Sequence, residues 1–87
     1  MVAPGTPVTL RELCNAYPGK VKALVQATGV GQRSFYRLLR GQAVRGTVVI
    51  FDRMAQLFRE QGGVVEDLGG TVDKLYDLWA QTREDGR

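Results

Sequence analysis

The stretch Gly29-Val30-Gly31-Gln32-Arg33-Ser34-Phe35-Tyr36-Arg37-Leu38-Leu39-Arg40-Gly41 decides the fold. It reads as a short basic helix that starts after a tight glycine turn and stops at a second glycine. Phe35, Leu38 and Leu39 share one side at three- and four-residue spacing, whereas Arg33, Tyr36, Arg37 and Arg40 recur at i, i+3, i+4 and i+7 on the other. The first stripe can pack on a core. The second offers donors and positive charge, which is what a helix needs to lie in a DNA groove.

Charge is distributed unevenly around this stretch. The chain of 87 residues has a formal net charge of +3. From Met1 to Gly46, however, Arg11, Lys20, Lys22, Arg33, Arg37, Arg40 and Arg45 are opposed by Glu12 alone, and from Thr47 onward the balance is negative. The first half is a natural surface for a polyanion, and the acidic second half offers a face to a protein partner. Length allows one small domain with a single core, and an apolar content of 44% argues against a wholly disordered chain.

Composition also narrows the chemistry. With no histidine and a single cysteine, Cys14, the chain has no imidazole base, no internal disulfide and no zinc site of the usual ligand set. No Ser/His or Cys/His constellation is available and the carboxylates are scattered, so an enzyme is not expected, nor any cofactor or metal. Cys14 reads as a small buried hydrophobe rather than a redox sensor. A reduced, cytoplasmic, nucleoid-associated setting is expected. Residues 1–8 lack the basic and apolar regions of a signal peptide and are expected to form a flexible arm. Without eighteen consecutive apolar residues, no ordinary membrane span is expected.

The remaining periodicities are helical, which predicts an all-α fold: a compact bundle of four to five short helices followed by a C-terminal amphipathic helix. Thr9 and Glu12 form a capping box, and Leu10, Leu13, Cys14 and Tyr17 mark the stripe of a first helix ending before Pro18. Pro18 then suits the first position of a second helix, whose inward stripe is Val21, Leu24, Val25 and Thr28 and which Gly29 closes. Gly31 serves as N-cap of the basic helix. Val48, Val49, Ile50 and Phe51 favour a strand taken alone, yet Ile50, Met54, Leu57 and Phe58 continue the helical spacing, which predicts a helix from Thr47 to Glu60. After the glycine doublets Gly62-Gly63 and Gly69-Gly70, residues 71–83 give the last helix, with Val72, Leu75, Tyr76 and Trp79 on one face.

The segment from Leu24 to Gly41 resembles the helix-turn-helix of the phage repressor and Cro-like DNA-binding proteins. Leu24 stands where the first motif helix places an inward aliphatic, Gly29 where the turn takes glycine, Val30 where it inserts an apolar residue, and Phe35 with Leu38 where the recognition helix packs back. Leu38-Leu39-Arg40-Gly41, a basic loop and an apolar helix from Thr47 are similar to the family's continuation. Val25 departs from it, since a small residue is usual there. The resemblance covers roughly residues 9–68 and implies a DNA-binding domain of phage or prokaryotic type. It implies a sequence-specific transcriptional regulator, of the repressor type, that inserts helix 32–40 into the major groove of an operator.

Geometry and resemblance together assign candidate contacts. The N-terminal part of a groove helix reads base edges, and paired hydrogen bonds of Gln and Arg suit adenine and guanine. Gln32, Arg33 and Arg37 are the leading base-contacting candidates, with Ser34 and Tyr36 secondary. Lys20, Lys22, Arg40, Gln42 and Arg45 form the expected phosphate track. The expected partner is double-stranded DNA with an inverted repeat, bound by a homodimer whose seam is Val72, Leu75, Tyr76 and Trp79. Against these stand blander readings. The arginine stripe can be a solvated face, Tyr36 can cover the core edge, and the Trp79 stripe can close the monomer's own core. The alternative function is a protein-interaction module, such as an antitoxin or a factor contacting the transcription machinery.

Overall fold

The computed structural model describes residues 9–85, with side chains as far as Gln81. The arm expected at residues 1–8 lies outside the described residues. Among the described residues six helices follow one another: α1 (Leu10–Ala16), α2 (Lys20–Thr28), α3 (Gln32–Leu39), α4 (Thr47–Gln61), α5 (Gly63–Gly69) and α6 (Val72–Asp85). Among the described residues there is no strand, and no helix is long and apolar enough to cross a membrane. The Cα radius of gyration is 11.7 Å, close to the ~12 Å of a packed chain of this length.

Local chemistry sets most of the boundaries. The Thr9 hydroxyl accepts from the Glu12 N–H at 3.1 Å and donates to the Glu12 carboxylate, starting α1. Pro18 does not open α2 as expected from the sequence. It sits with Gly19 in a turn closed by the Lys20 N–H to the Tyr17 carbonyl at 2.8 Å. Gly19 has φ 85° and ψ −4°, the third position of a type II turn, and proline favours the position before it. Helix α3 ends in a Schellman arrangement: Gly41 has φ 90°, its N–H bonds the Leu38 carbonyl, and the Gln42 N–H bonds the Arg37 carbonyl.

The apolar stripes converge on one core. Leu10, Leu13, Cys14, Val21, Leu24, Phe35, Leu38, Leu39, Ile50, Phe51, Met54, Ala55, Phe58, Val65, Leu75 and Trp79 form a single buried cluster. The valine-rich start of α4 is helical because Ile50, Phe51, Met54, Ala55 and Phe58 can then be buried on one side, so tertiary packing overrides strand propensity.

The last helix corrects the expectation of a dimer seam. Leu75 is fully buried and Trp79 is 7% exposed in the chain's own core, while Val72 and Tyr76 pack against the same cluster. Phe51 of α4 meets Tyr76 at 4.9 Å and Trp79 at 5.9 Å, both edge to face. The glycine doublets do not release α6, because Gly69 is buried where α5 is closest to its neighbours. A Cβ there would lie 2.5 Å from Leu13 Cδ2 and 2.9 Å from Phe58 Cδ2.

Candidate nucleic-acid interface

Helix α3 is sharply two-faced. Phe35, Leu38 and Leu39 are buried, and at 100° per residue Gln32, Tyr36, Arg40, Arg33 and Arg37 occupy an outward arc of about 140°. Gln32, Arg33, Arg37 and Arg40 are exposed, whereas Ser34 and Tyr36 are half-buried. Tyr36 packs against the core cluster, so its ring covers the core edge beside the donors. Burial of the Phe35 and Leu38 side chains turns the arginine side of α3 outward.

The chain after α3 is ordered by its own turn chemistry. The Thr47 hydroxyl donates to the Val44 carbonyl at 2.6 Å and accepts from the Val44 N–H, and the Thr47 N–H bonds the same carbonyl. Gly46 takes φ 76°, a left-handed value available to glycine without steric cost. Arg45 stands exposed at the tip of this turn. Gln42 is brought to α3, since Arg37 Nε donates to Gln42 Oε1 at 3.3 Å. That contact orients a leading base-contacting candidate with a phosphate-contacting one.

Lys20 and Lys22 are exposed at the start of α2. They stand toward the opposite end of that helix from the turn, about 12 Å (Lys20) and about 9 Å (Lys22) from Thr28 along its axis. Lys20 has φ 60°, the one non-glycine residue in the left-handed region among the described residues. The phosphate candidates thus fall into two groups, one at the start of α2 and one running from Arg40 to Arg45.

Two positioning contacts escaped the sequence reading. Arg53 Nη1 of α4 donates to the Thr28 carbonyl at 2.7 Å, at the last residue of α2 before the turn 29–31. Trp79 Nε1 of α6 donates to the Leu38 carbonyl at 2.9 Å, in the last turn of α3. Neither has a spacing signature: Arg53 reads as an exposed helix arginine, and the Trp79 partner is a backbone atom in a different helix.

Cys14 is buried in the core, and burial pushes its thiol up to about 12 from an ordinary 9.0. A protonated, inaccessible thiol fits the packing role expected of it. No protein-family model, curated protein or solved structure matches this chain.

Proposed function

We propose that the chain is a sequence-specific DNA-binding regulator of the repressor type, in which α2, the turn 29–31 and α3 act as a helix-turn-helix and α3 enters the major groove. The observation that carries this reading is the two-faced α3. Its apolar residues are buried while Gln32, Arg33, Arg37 and Arg40 stand exposed on one arc, next to the ordered turn that presents Arg45. Gln32, Arg33 and Arg37 read base edges, with Ser34 and Tyr36 at the margin. Lys20, Lys22, Arg40, Gln42 and Arg45 hold phosphates, which sets register without reading sequence.

Two copies on an inverted repeat would read successive major grooves about 34 Å apart. Such a pair has to meet through a surface other than Val72, Leu75, Tyr76 and Trp79. Selection of bound sequences from a random duplex pool tests the whole reading. The expected result is one enriched inverted repeat, bound with an affinity that falls steeply with salt, by roughly one power of concentration per phosphate contacted. Failure to retain any duplex at about 50 mM salt, where phosphate contacts are strong, would overturn it.

A second reading, a protein-interaction module, draws on Val48, Val49 and Val64, which are 59%, 53% and 52% exposed. It predicts a protein complex that forms without nucleic acid and persists as salt rises, because apolar contacts are not screened.

A further inference from the structure

The basic helix is held from outside at its C-terminal end, by α6 through Trp79 onto the Leu38 carbonyl, and the helix before it is held at its last residue, by α4 through Arg53 onto the Thr28 carbonyl. We propose that Trp79 and Arg53 are positioning residues, which touch no DNA and fix the angle and rotation at which α3 presents Gln32, Arg33 and Arg37. This inference rests on the DNA-reading function proposed for α3.

The physical argument begins with directionality. Burial of Phe35, Leu38 and Leu39 favours a face of α3, but apolar packing is non-directional and tolerates small rotations and slides of the helix. A hydrogen bond to one particular carbonyl does not. Trp79 is 7% exposed and its bond to Leu38 is buried. If α3 slid or turned by one residue, the indole N–H would lose that partner in apolar surroundings, with the full desolvation penalty of a buried donor. The Leu38 carbonyl also accepts from the Gly41 N–H, so the same oxygen joins the helix end, the following turn and α6.

The Arg53 contact complements this at the end of α2, just before the turn into α3. Thr28 closes α2, its hydroxyl turned back to the Leu24 carbonyl at 2.7 Å, and its own carbonyl receives the guanidinium. Gly29 follows with φ 72°, and a Cβ at Gly29 would find Arg53 Nη1 as its neighbour at 3.9 Å. Arg53 therefore sits directly on the turn that launches α3. A charge-assisted bond there is about twice as strong as a neutral one. The two donors come from helices outside α2 and α3, so the orientation of the reading helix depends on α4 and α6.

The experiment uses the whole chain with Trp79→Phe, which keeps an aromatic ring and removes the N–H, and Arg53→Met, which keeps the stem and removes the guanidinium. Amide hydrogen exchange is measured on the free proteins, and affinity is measured for the selected duplex and for random duplex over a salt series. Faster exchange confined to residues 29–41 is expected, with exchange in α1 and the middle of α4 unchanged. Affinity for the selected duplex should fall by about tenfold, in proportion to one lost hydrogen bond, while affinity for random duplex and the salt slope hold. Exchange unchanged at 29–41, or raised equally throughout, overturns the positioning role. Loosened exchange with undiminished preference for the selected duplex also overturns it. If the unmutated chain prefers no DNA sequence, the DNA-reading proposal fails by itself, and a positioning role for base reading fails with it even where the exchange result stands.

Discussion

Trp79 Nε1 and the Leu38 carbonyl oxygen lie 2.9 Å apart and 41 residues apart in sequence. This bond makes α6 a structural part of the bundle that carries the basic helix. The consequence for Trp79→Glu is whole-chain unfolding. Removing a buried tryptophan's packing costs about 3–5 kcal/mol, and a buried unpaired carboxylate adds to that. Set against the low end of the usual range of about 5–15 kcal/mol, where so small a domain belongs, the loss leaves little folded protein. Circular dichroism should show helix lost along the chain. A variant that keeps its helical signal while a dimer dissociates would restore the seam to this face.

Gly69 makes a separate prediction about packing. Its φ is not left-handed, so substitution there meets space and not backbone strain. A methyl group would press on Leu13 and Phe58, at 2.5 Å and 2.9 Å. Gly69→Ala should destabilise by about 1–3 kcal/mol, the usual range for an overpacked core. Gly31 is the control, since a Cβ there meets nothing within 4 Å and its φ is −60°. Gly31→Ser should stabilise by a few tenths of a kcal/mol through a better N-cap. Denaturant midpoints of the two variants should move in opposite directions.

The helical stripes were legible because each one obeys a 3.6-residue period, and burial of Leu10, Leu24, Phe35, Met54 and Leu75 follows directly from it. The type of helix α4 was legible only by following Ile50 to Phe58 past the β-branched opening. Pro18 is ambiguous in the sequence, because a proline is equally at home at the first helical position and before the glycine of a type II turn; the deciding fact is the left-handed Gly19. The fate of the Val72, Leu75, Tyr76 and Trp79 stripe was not legible at all. An amphipathic face states that something apolar covers it, not whether the cover is Phe51 of the same chain or a second copy. The arc of donors on α3 was readable from spacing, but its supports at Thr28 and Leu38 are backbone oxygens, which leave no mark in a sequence.

Base reading is tested at Arg33 and Arg37, both exposed on α3. Replacing either by Ala should cost roughly 1–3 kcal/mol against the selected duplex and relax preference at one base pair. Arg37 also donates to Gln42, so Gln42→Ala should reproduce a small part of the Arg37→Ala effect. Competition with single-base variants of the selected duplex reads both. Equal weakening on every sequence would move these arginines to the phosphates.

Cys14 gives a pH dependence. Its folded thiol is pushed up to about 12 from 9.0, so the protonated form is favoured in the folded state. The stability linked to this group is fully present below about 9 and is lost as pH rises from there toward 12, at up to about 1.4 kcal/mol per pH unit. Cys14→Ala loses packing but has no such term. The stability gap between the two proteins should therefore narrow above pH 9, and a thiol reagent at pH 8 should label the native chain only after denaturant is added. Rapid labelling of the native chain would show that the thiol is not buried.

Lys20 separates backbone strain from charge. Its φ of 60° is a conformation that costs a non-glycine residue about 1–2 kcal/mol, and it is held there by the turn through Pro18 and Gly19. Lys20→Gly removes that strain, against a smaller entropic loss of about 0.5–1 kcal/mol for the more flexible unfolded chain. The net expectation is a gain of a few tenths to about 1 kcal/mol, and a gain near 1 kcal/mol would raise Tm by about 4–8 °C in a domain of this size. The same substitution removes an exposed cation assigned to phosphate. The salt slope should fall by about one, and specific and random duplex should weaken together. Lys22→Ala loses its cation from regular helical backbone, so it should lower the slope with little change in Tm. A Lys20→Gly protein that is less stable would refute the strain, and one with an undiminished salt slope would take Lys20 off the DNA interface.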